Sequence, residues 1–265
     1  MLFRSELGDV EPESPPPGGI AALTPHWVKQ AAIHLRRGER AYEDGDWAGA
    51  LRAYEEVRRI LPGIERLDES IGLCHLRLKD YDKADAVFSA LVAKRPGSAP
   101  LLNNLGVAQM GRNRREDASR TFGKALAADP SYGPARQNLG LLHYRSGEMT
   151  RAAEVLAEVV RNAPQNAEAS LMYAVALLKL SRWSEAAGVL EEAARLTPSA
   201  PVFFRLAEAK SHTGGADEAM KTLQRGVDLV DARAALVWIN RTEFDALRSR
   251  PDFQRLAADL TQAIR

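Results

Sequence analysis

The sequence predicts an all-α solenoid of about six stacked helix pairs, and three periodic series carry that expectation. Pro62, Pro96, Pro130, Pro164 and Pro198 stand 34 residues apart. The small residues Ala50, Ala84, Ala118, Ala152 and Ala186 keep the same step, as do the larger Tyr54, Phe88, Phe122, Leu156 and Leu190. Ala99 to Tyr132, APLLNNLGVAQMGRNRREDASRTFGKALAADPSY, shows the unit most clearly. Leu105-Gly106 sits midway along one apolar helical pattern, Ala118 and Phe122 lie four apart on a second, and Pro130 closes the unit. A helix pair of this length cannot bury its apolar face alone, so copies stack and leave an extended concave surface.

Composition is compatible with such an array. Of the 265 residues, 45% are hydrophobic and 27% charged, enough apolar surface to exclude a disordered chain. Basic and acidic residues number 36 and 35, a net charge of +1, so the chain has no global attraction to nucleic acid or anionic lipid. The single cysteine, Cys74, has no internal partner for a disulfide and falls inside the first helix of a unit, as a small buried hydrophobe would. No run approaches the ~20 apolar residues of a membrane span. A soluble, cytoplasmic chain is expected, or a periplasmic one if the N-terminus is truncated.

Residues 1–23 read as a disordered leader or linker, because Pro12, Pro15, Pro16, Pro17, Gly18 and Gly19 break both helix and strand. Thr24-Pro25 is a helix-start signal, with the hydroxyl able to cap and proline at the first helical position. The first helix is expected to run to about Asp44, its extra turns with Trp27 and Val28 serving as an N-terminal cap. Gly45-Asp46 then turns the chain into a second helix, Trp47 to Ile60, ended by Leu61-Pro62-Gly63. The array spans 24–232, with repeats near 31–64, 65–98, 99–132, 133–166, 167–199 and 200–233. Gly38, Gly72, Gly106, Gly140 and Ala174 mark the close crossing of the two helices in each unit. A glycine inside a helix costs about 1 kcal/mol relative to alanine, so packing has to compensate. The pattern decays in the last unit, where Gly214-Gly215 makes the turn and Asp231 stands where proline stood. Residues 234–265 form a C-terminal helical cap, with Phe253, Leu256, Leu260 and Ile264 on one face and Phe244 and Leu247 packed at the same edge.

The glycine, alanine, aromatic and proline series together resemble the tetratricopeptide repeat family, in its bacterial form, over roughly Ala31 to Ala232. The resemblance implies a right-handed superhelical solenoid that binds proteins. The Trp usual near the start of the first helix is replaced by His34, Asp68, Leu102, Arg136 and Ser170, while Trp47, Tyr81 and Trp183 open second helices. Phe244 to Phe253, FDALRSRPDF, looks like the closing segment of many bacterial arrays of this kind.

The resemblance also implies that first-helix residues line the concave face. The peptide-binding groove is then formed by Leu73, Leu76, Asn103, Asn104, Val107, Met110, Gln137, Asn138, Leu141, Tyr144, Met172, Val175 and Leu178. Amide side chains donate to and accept from a peptide backbone at once, so Asn103, Asn104, Gln137 and Asn138 suit an extended segment; the alternative is that they cap backbone or bridge helices. The carboxylate-clamping subclass needs basic residues from neighbouring helices beside asparagine; here Arg36 is isolated at the array start and the middle of the groove lacks lysine. Arg112, Arg114, Arg115 and Arg120 are interrupted by Glu116 and Asp117, the pattern of a solvated turn more than of a phosphate site. His75 and His143 share a repeat position two units apart, too distant for one metal, and no catalytic or nucleotide-binding motif occurs. The expectation is a non-enzymatic scaffold or adaptor for a peptide or helix, without cofactor, metal or nucleic acid. Two rivals are the C-terminal regulatory or sensor array of a larger enzyme such as a serine/threonine kinase, and an envelope assembly factor lacking its signal.

Overall fold

The computed structural model describes residues 26–264, and among them there is no β-strand. The leader and the Thr24-Pro25 cap lie outside the described residues. Contacts divide the chain into two compact units, one up to Leu91 and one from Val92 onward.

The first unit contains α1 (His26–Glu43), α2 (Trp47–Ile60), α3 (Glu65–Arg77) and most of α4 (Tyr81–Lys94). Helix α2 starts where it does because the Asp46 carboxylate accepts the Gly49 N–H at 2.8 Å, satisfying one of the backbone donors that a helix start leaves unpaired. Its core joins Ala31 and Leu35 to Ala50, Tyr54 and Val57 and then to Leu67, Ile71 and Cys74. Burial pushes the Cys74 thiol up to about 11, so it stays protonated and inert at neutral pH. The extra N-terminal turn expected to act as a cap instead leaves Trp27 51% exposed, with Ile33 at 50%.

The second unit stacks four pairs: α5 (Ala99–Gly111) with α6 (Arg115–Ala128), α7 (Gly133–Arg145) with α8 (Met149–Asn162), α9 (Ala167–Lys179) with α10 (Trp183–Leu196), and α11 (Ala200–His212) with α12 (Ala216–Val227). Pro100, Pro134 and Pro201 occupy first-turn positions, where a missing N–H is no loss. Each first helix packs on its own second helix, and α5, α7, α9 and α11 also touch one another in succession. That row of first helices carries the candidate site.

The periodic series are the core. Ala84, Ala118, Ala152 and Ala186 are fully buried, as are Phe88, Phe122, Leu156 and Leu190. The mid-helix glycines admit those side chains: a Cβ on Gly106 would lie 2.5 Å from the Phe122 ring and one on Gly140 2.6 Å from Leu156. The turn within each pair holds one residue at positive φ in a matching place, and only half of these are glycine. They are Gly45, Lys79, Asn113, Gly147, Ser181 and Gly214, with φ between 58° and 86°. The left-handed conformation costs a side-chain-bearing residue about 1–2 kcal/mol, less for asparagine. Glycine loses more entropy on folding, so Lys79→Gly and Ser181→Gly are each expected to stabilise by a net ~0.5–1 kcal/mol, and Asn113→Gly by less. Thermal midpoints measure this; a fall at both Lys79 and Ser181 would contradict the turn geometry.

Beyond α12 come α13 (Ala232–Ile239), a 3-10 turn (Thr242–Leu247) and α14 (Pro251–Ala263). Asp231, where the repeat would have placed proline, caps α13 by accepting the Ala234 N–H at 2.9 Å. Phe244, Leu247, Phe253, Leu256 and Leu260 join Phe204, Ala219 and Leu223 of the last pair in one core. Ile264 departs from expectation at 39% exposure, because α14 ends at Ala263 and the apolar stripe ends with it.

Candidate functional site

The residues of the expected groove are on first helices, but they differ in what they offer. Leu73 and Leu76 are half-buried on α3, in the first unit. In the second unit, Asn104, Val107 and Met110 of α5 and Gln137, Asn138, Leu141 and Tyr144 of α7 are half-buried, the state that lets a side chain be held by its neighbours and still meet a partner. Val107 and Met110 rest on the core built around Phe122, and Leu141 and Tyr144 on the core built around Leu156. Asn103 is buried, as are Met172, Val175 and Leu178 of α9. Leu178, only 3% exposed, belongs to the core and presents almost no surface.

The four amides divide into two groups. Asn138 donates its Nδ2 to Asn103 Oδ1 at 2.8 Å, and Asn103 donates its own Nδ2 to Asn104 Oδ1 at 3.3 Å, so three asparagines form one relay between α5 and α7. Gln137 faces the other way along the row. Its Oε1 accepts from Asn166 Nδ2 at 2.9 Å and its Nε2 donates to Glu168 Oε2 at 3.5 Å. Asn166 is also the N-cap of α9, accepting the Ala169 N–H at 3.1 Å. The bridging of helices, weighed above as the alternative to peptide binding, is thus present in both groups. Asn166 was absent from the residues picked out by position; asparagine directly before a helical run is the capping signal that marks it.

At its far end the row closes on charge. Arg205 of α11, largely buried, pairs with Glu208 at 2.7 Å and with Glu243 at 3.2 Å, and its guanidinium lies 5.3 Å from the Trp238 ring centroid. Trp238 stacks on Phe204 at 4.8 Å, so these charges are held by the terminal core.

The arginines around the α5–α6 turn are engaged locally. Arg114 and Arg120 both pair with Asp117, and Arg115 donates to Asn113 Oδ1. Arg115 and Arg120 also line an open cleft of about 440 Å³ with His143, Glu148 and Arg151. Glu148 there binds His143 at 2.7 Å and Arg151 at 3.1 Å, with its acidity increased by those hydrogen bonds, so acids neutralise much of the positive charge. No group of three or more potential metal ligands converges among the described residues. No described helix is long and apolar enough to cross a membrane.

His75 and His143 repeat one arrangement, each with Nδ1 towards an acid five residues on; for His75 it is Asp80 at 3.5 Å. Burial is the main influence on His75 and lowers its pKa from 6.5, with Lys83 and Arg58 assisting and Asp80 and Glu55 opposing. The unfolded chain therefore takes the proton first. Stability is full above about pH 6.5 and falls as the pH drops towards the depressed folded value. Gln109 holds the same repeat position and is buried, so His75→Gln has a precedent within the array. Denaturant unfolding at pH 5.5 and 7 is expected to show a smaller acid loss for His75→Gln than for the parent. Equal losses would place the acid sensitivity elsewhere.

Among curated proteins, none matches this chain in sequence. In fold, the chain is similar to the crystal structure of MamA, at 22% identity and TM-score 0.54, over 64% of this chain and 92% of that one. A MamA AMB-1 structure gives 21% identity and TM-score 0.57, over 65% and 97% respectively. PilF of Pseudomonas aeruginosa is similar over 84% of this chain and 98% of that one, at 15% identity and TM-score 0.65. The model of the tetratricopeptide repeat matches residues 35–99, 103–167 and 138–201, together more than half of the sequence. The paired helices, the glycine crossings and these matches agree: the chain belongs to the tetratricopeptide repeat family.

Proposed function

We propose that this protein is a non-enzymatic interaction scaffold that holds an extended peptide or helix of its partner along α5, α7 and α9. Membership of the family supports a protein-interaction scaffold in general. The observation that carries the finer reading is the Asn103, Asn104 and Asn138 relay, set among half-buried Val107, Met110, Leu141 and Tyr144. Apolar neighbours gain from losing water, and amides meet the hydrogen-bonding demand of a backbone that would otherwise be buried unpaired. Met110 and Tyr144 supply an adaptable thioether and a rigid amphipathic ring, both suited to recognition.

A peptide ligand selected from a random dodecamer display library provides the probe. Replacing Asn104, Asn138 and Tyr144 together by Ala is expected to raise its Kd at least about tenfold, the equivalent of ~1.4 kcal/mol. The helical circular dichroism should stay that of a folded array, with a lower thermal midpoint because buried Asn103 loses both of its amide partners. Unchanged affinity in a folded triple variant would move recognition off this face.

A further inference from the structure

We infer that the acidic stretch at residues 6–13, ahead of the array, docks on the outer face of α1 and covers the edge that later pairs close against the pair before them. Repeat-equivalent positions show what that edge is. Leu67 and Cys74 of α3 share a core with Tyr54 and Val57 of α2. Ala135 and Leu142 of α7 do the same with Phe122 and Ala125 of α6, and Ala169 and Ala176 of α9 with Leu156 and Val159 of α8. All six are buried. In the first pair these two positions are Ile33 and Arg40 of α1, no helix precedes them among the described residues, and both are exposed. Ile33 thus holds a core position without a core.

The face around Ile33 is basic. With 3.6 residues per turn, Lys29, Arg36, Arg37 and Arg40 lie within ~60° of it. The acid in that sector is Asp44, just past the helix and 3.9 Å from Arg40. Beside it, Arg37 opens onto a cleft of about 310 Å³ with His34, Arg52, Glu55 and Glu56, where Glu56 is held by Arg59. A second copy meeting this face edge to edge would set like charges against each other, so the face suits an acidic cover that also carries apolar side chains. Residues 6–13, ELGDVEPE, have that chemistry: Glu6, Asp9, Glu11 and Glu13 accompany Leu7 and Val10, with no basic residue. Residues 14–25 join them to α1. Extended, that join spans ~40 Å, against ~21 Å from His26 to Arg40, so the stretch can reach the whole face. Exposed ion pairs contribute little singly, and here several act together with the burial of Ile33. The cover is the counterpart of α13 and α14, which close the apolar edge at the other end of the array.

A spin label tests this in the full chain. Gly8→Cys carries a nitroxide, in a Cys74→Ala background whose precedents are Ala108 and Ala176 at the same repeat position. Broadening of the Ile33 amide signal in ¹⁵N–¹H spectra is the readout, with the amides of α14 as reference. Arg37→Glu/Arg40→Glu is expected to lower that broadening at least about twofold, and adding Glu6→Lys, Asp9→Lys, Glu11→Lys and Glu13→Lys to restore it. Raising salt from about 0.1 M to about 1 M, which shortens the screening length from ~10 Å to ~3 Å, should lower it without any substitution. A tether without docking would broaden Ile33 equally in the parent, the reversed variant and the charge swap, and at both salts; that result would overturn the inference. A sharp Ile33 signal in the parent would overturn it too. A mixture of spin-labelled ¹⁴N chain and unlabelled ¹⁵N chain identifies the occupant: broadening there as strong as within one chain would give the edge to a second copy instead.

Discussion

Replacing Gly106 by Ala is expected to destabilise the protein by about 1–3 kcal/mol, although the same change in an open helix stabilises by nearly 1 kcal/mol. The sign is reversed by Phe122, whose ring atoms would lie 2.5, 2.7 and 2.9 Å from the new Cβ. A free side chain would swing away, but Phe122 is fully buried against its own helix pair and the next one. Gly106→Phe should reach or exceed the upper end of that range, since a second ring has no cavity to enter. Gly123, on the helix that carries Phe122, is the control: nothing lies within 4 Å of a Cβ there, so Gly123→Ala should raise stability. Repeat five shows how the crossing accepts a methyl group, with Ala174 in the glycine position and leucine, Leu190, in the ring position. Gly106→Ala combined with Phe122→Leu should therefore lose less than the sum of the two single losses. Denaturant unfolding of these variants, with Phe122→Leu alone as the second single change, tests the series, and a stabilising Gly106→Ala would remove the close crossing from the account.

Replacing Phe244 by Ala is expected to cost about 3–5 kcal/mol, the usual range for emptying a buried aromatic site. Phe244 is 1% exposed and belongs to the core that joins the last repeat pair to α13 and α14. A stack of repeats ends in an apolar edge that water would otherwise meet, and here the 3-10 turn delivers Phe244 and Leu247 to that edge. The loss should be local before it is global. Hydrogen exchange is expected to quicken first in α13 and α14, while amides of α5 to α8 keep most of their protection, as neighbour-only contacts dictate. Uniform loss of protection would show that the tail is integral to one cooperative fold and not a terminal cover.

Some of this architecture depends only on which residues recur. The 34-residue step, the glycine crossings and the buried alanine and aromatic series follow from periodicity, because a side chain's face on a helix is set by its spacing. The tail's contribution to the core was legible for the same reason at Phe244, Leu247, Phe253, Leu256 and Leu260. It failed at Ile264, where the spacing persists past the helix end. The turn residues escaped notice because Lys79, Asn113 and Ser181 share a backbone conformation and no side-chain chemistry.

The amides mark the boundary between the two kinds of information. Spacing by itself determined that Asn103, Asn104, Gln137 and Asn138 share the row of first helices. Only the tertiary structure decided that three of them form one relay while Gln137 turns to Asn166 and Glu168. The physical reason is that hydrogen bonds form over about 3 Å with a defined direction, so pairing depends on how neighbouring helices are offset. A repeat period says which residues lie side by side, but not which end of each amide meets the next.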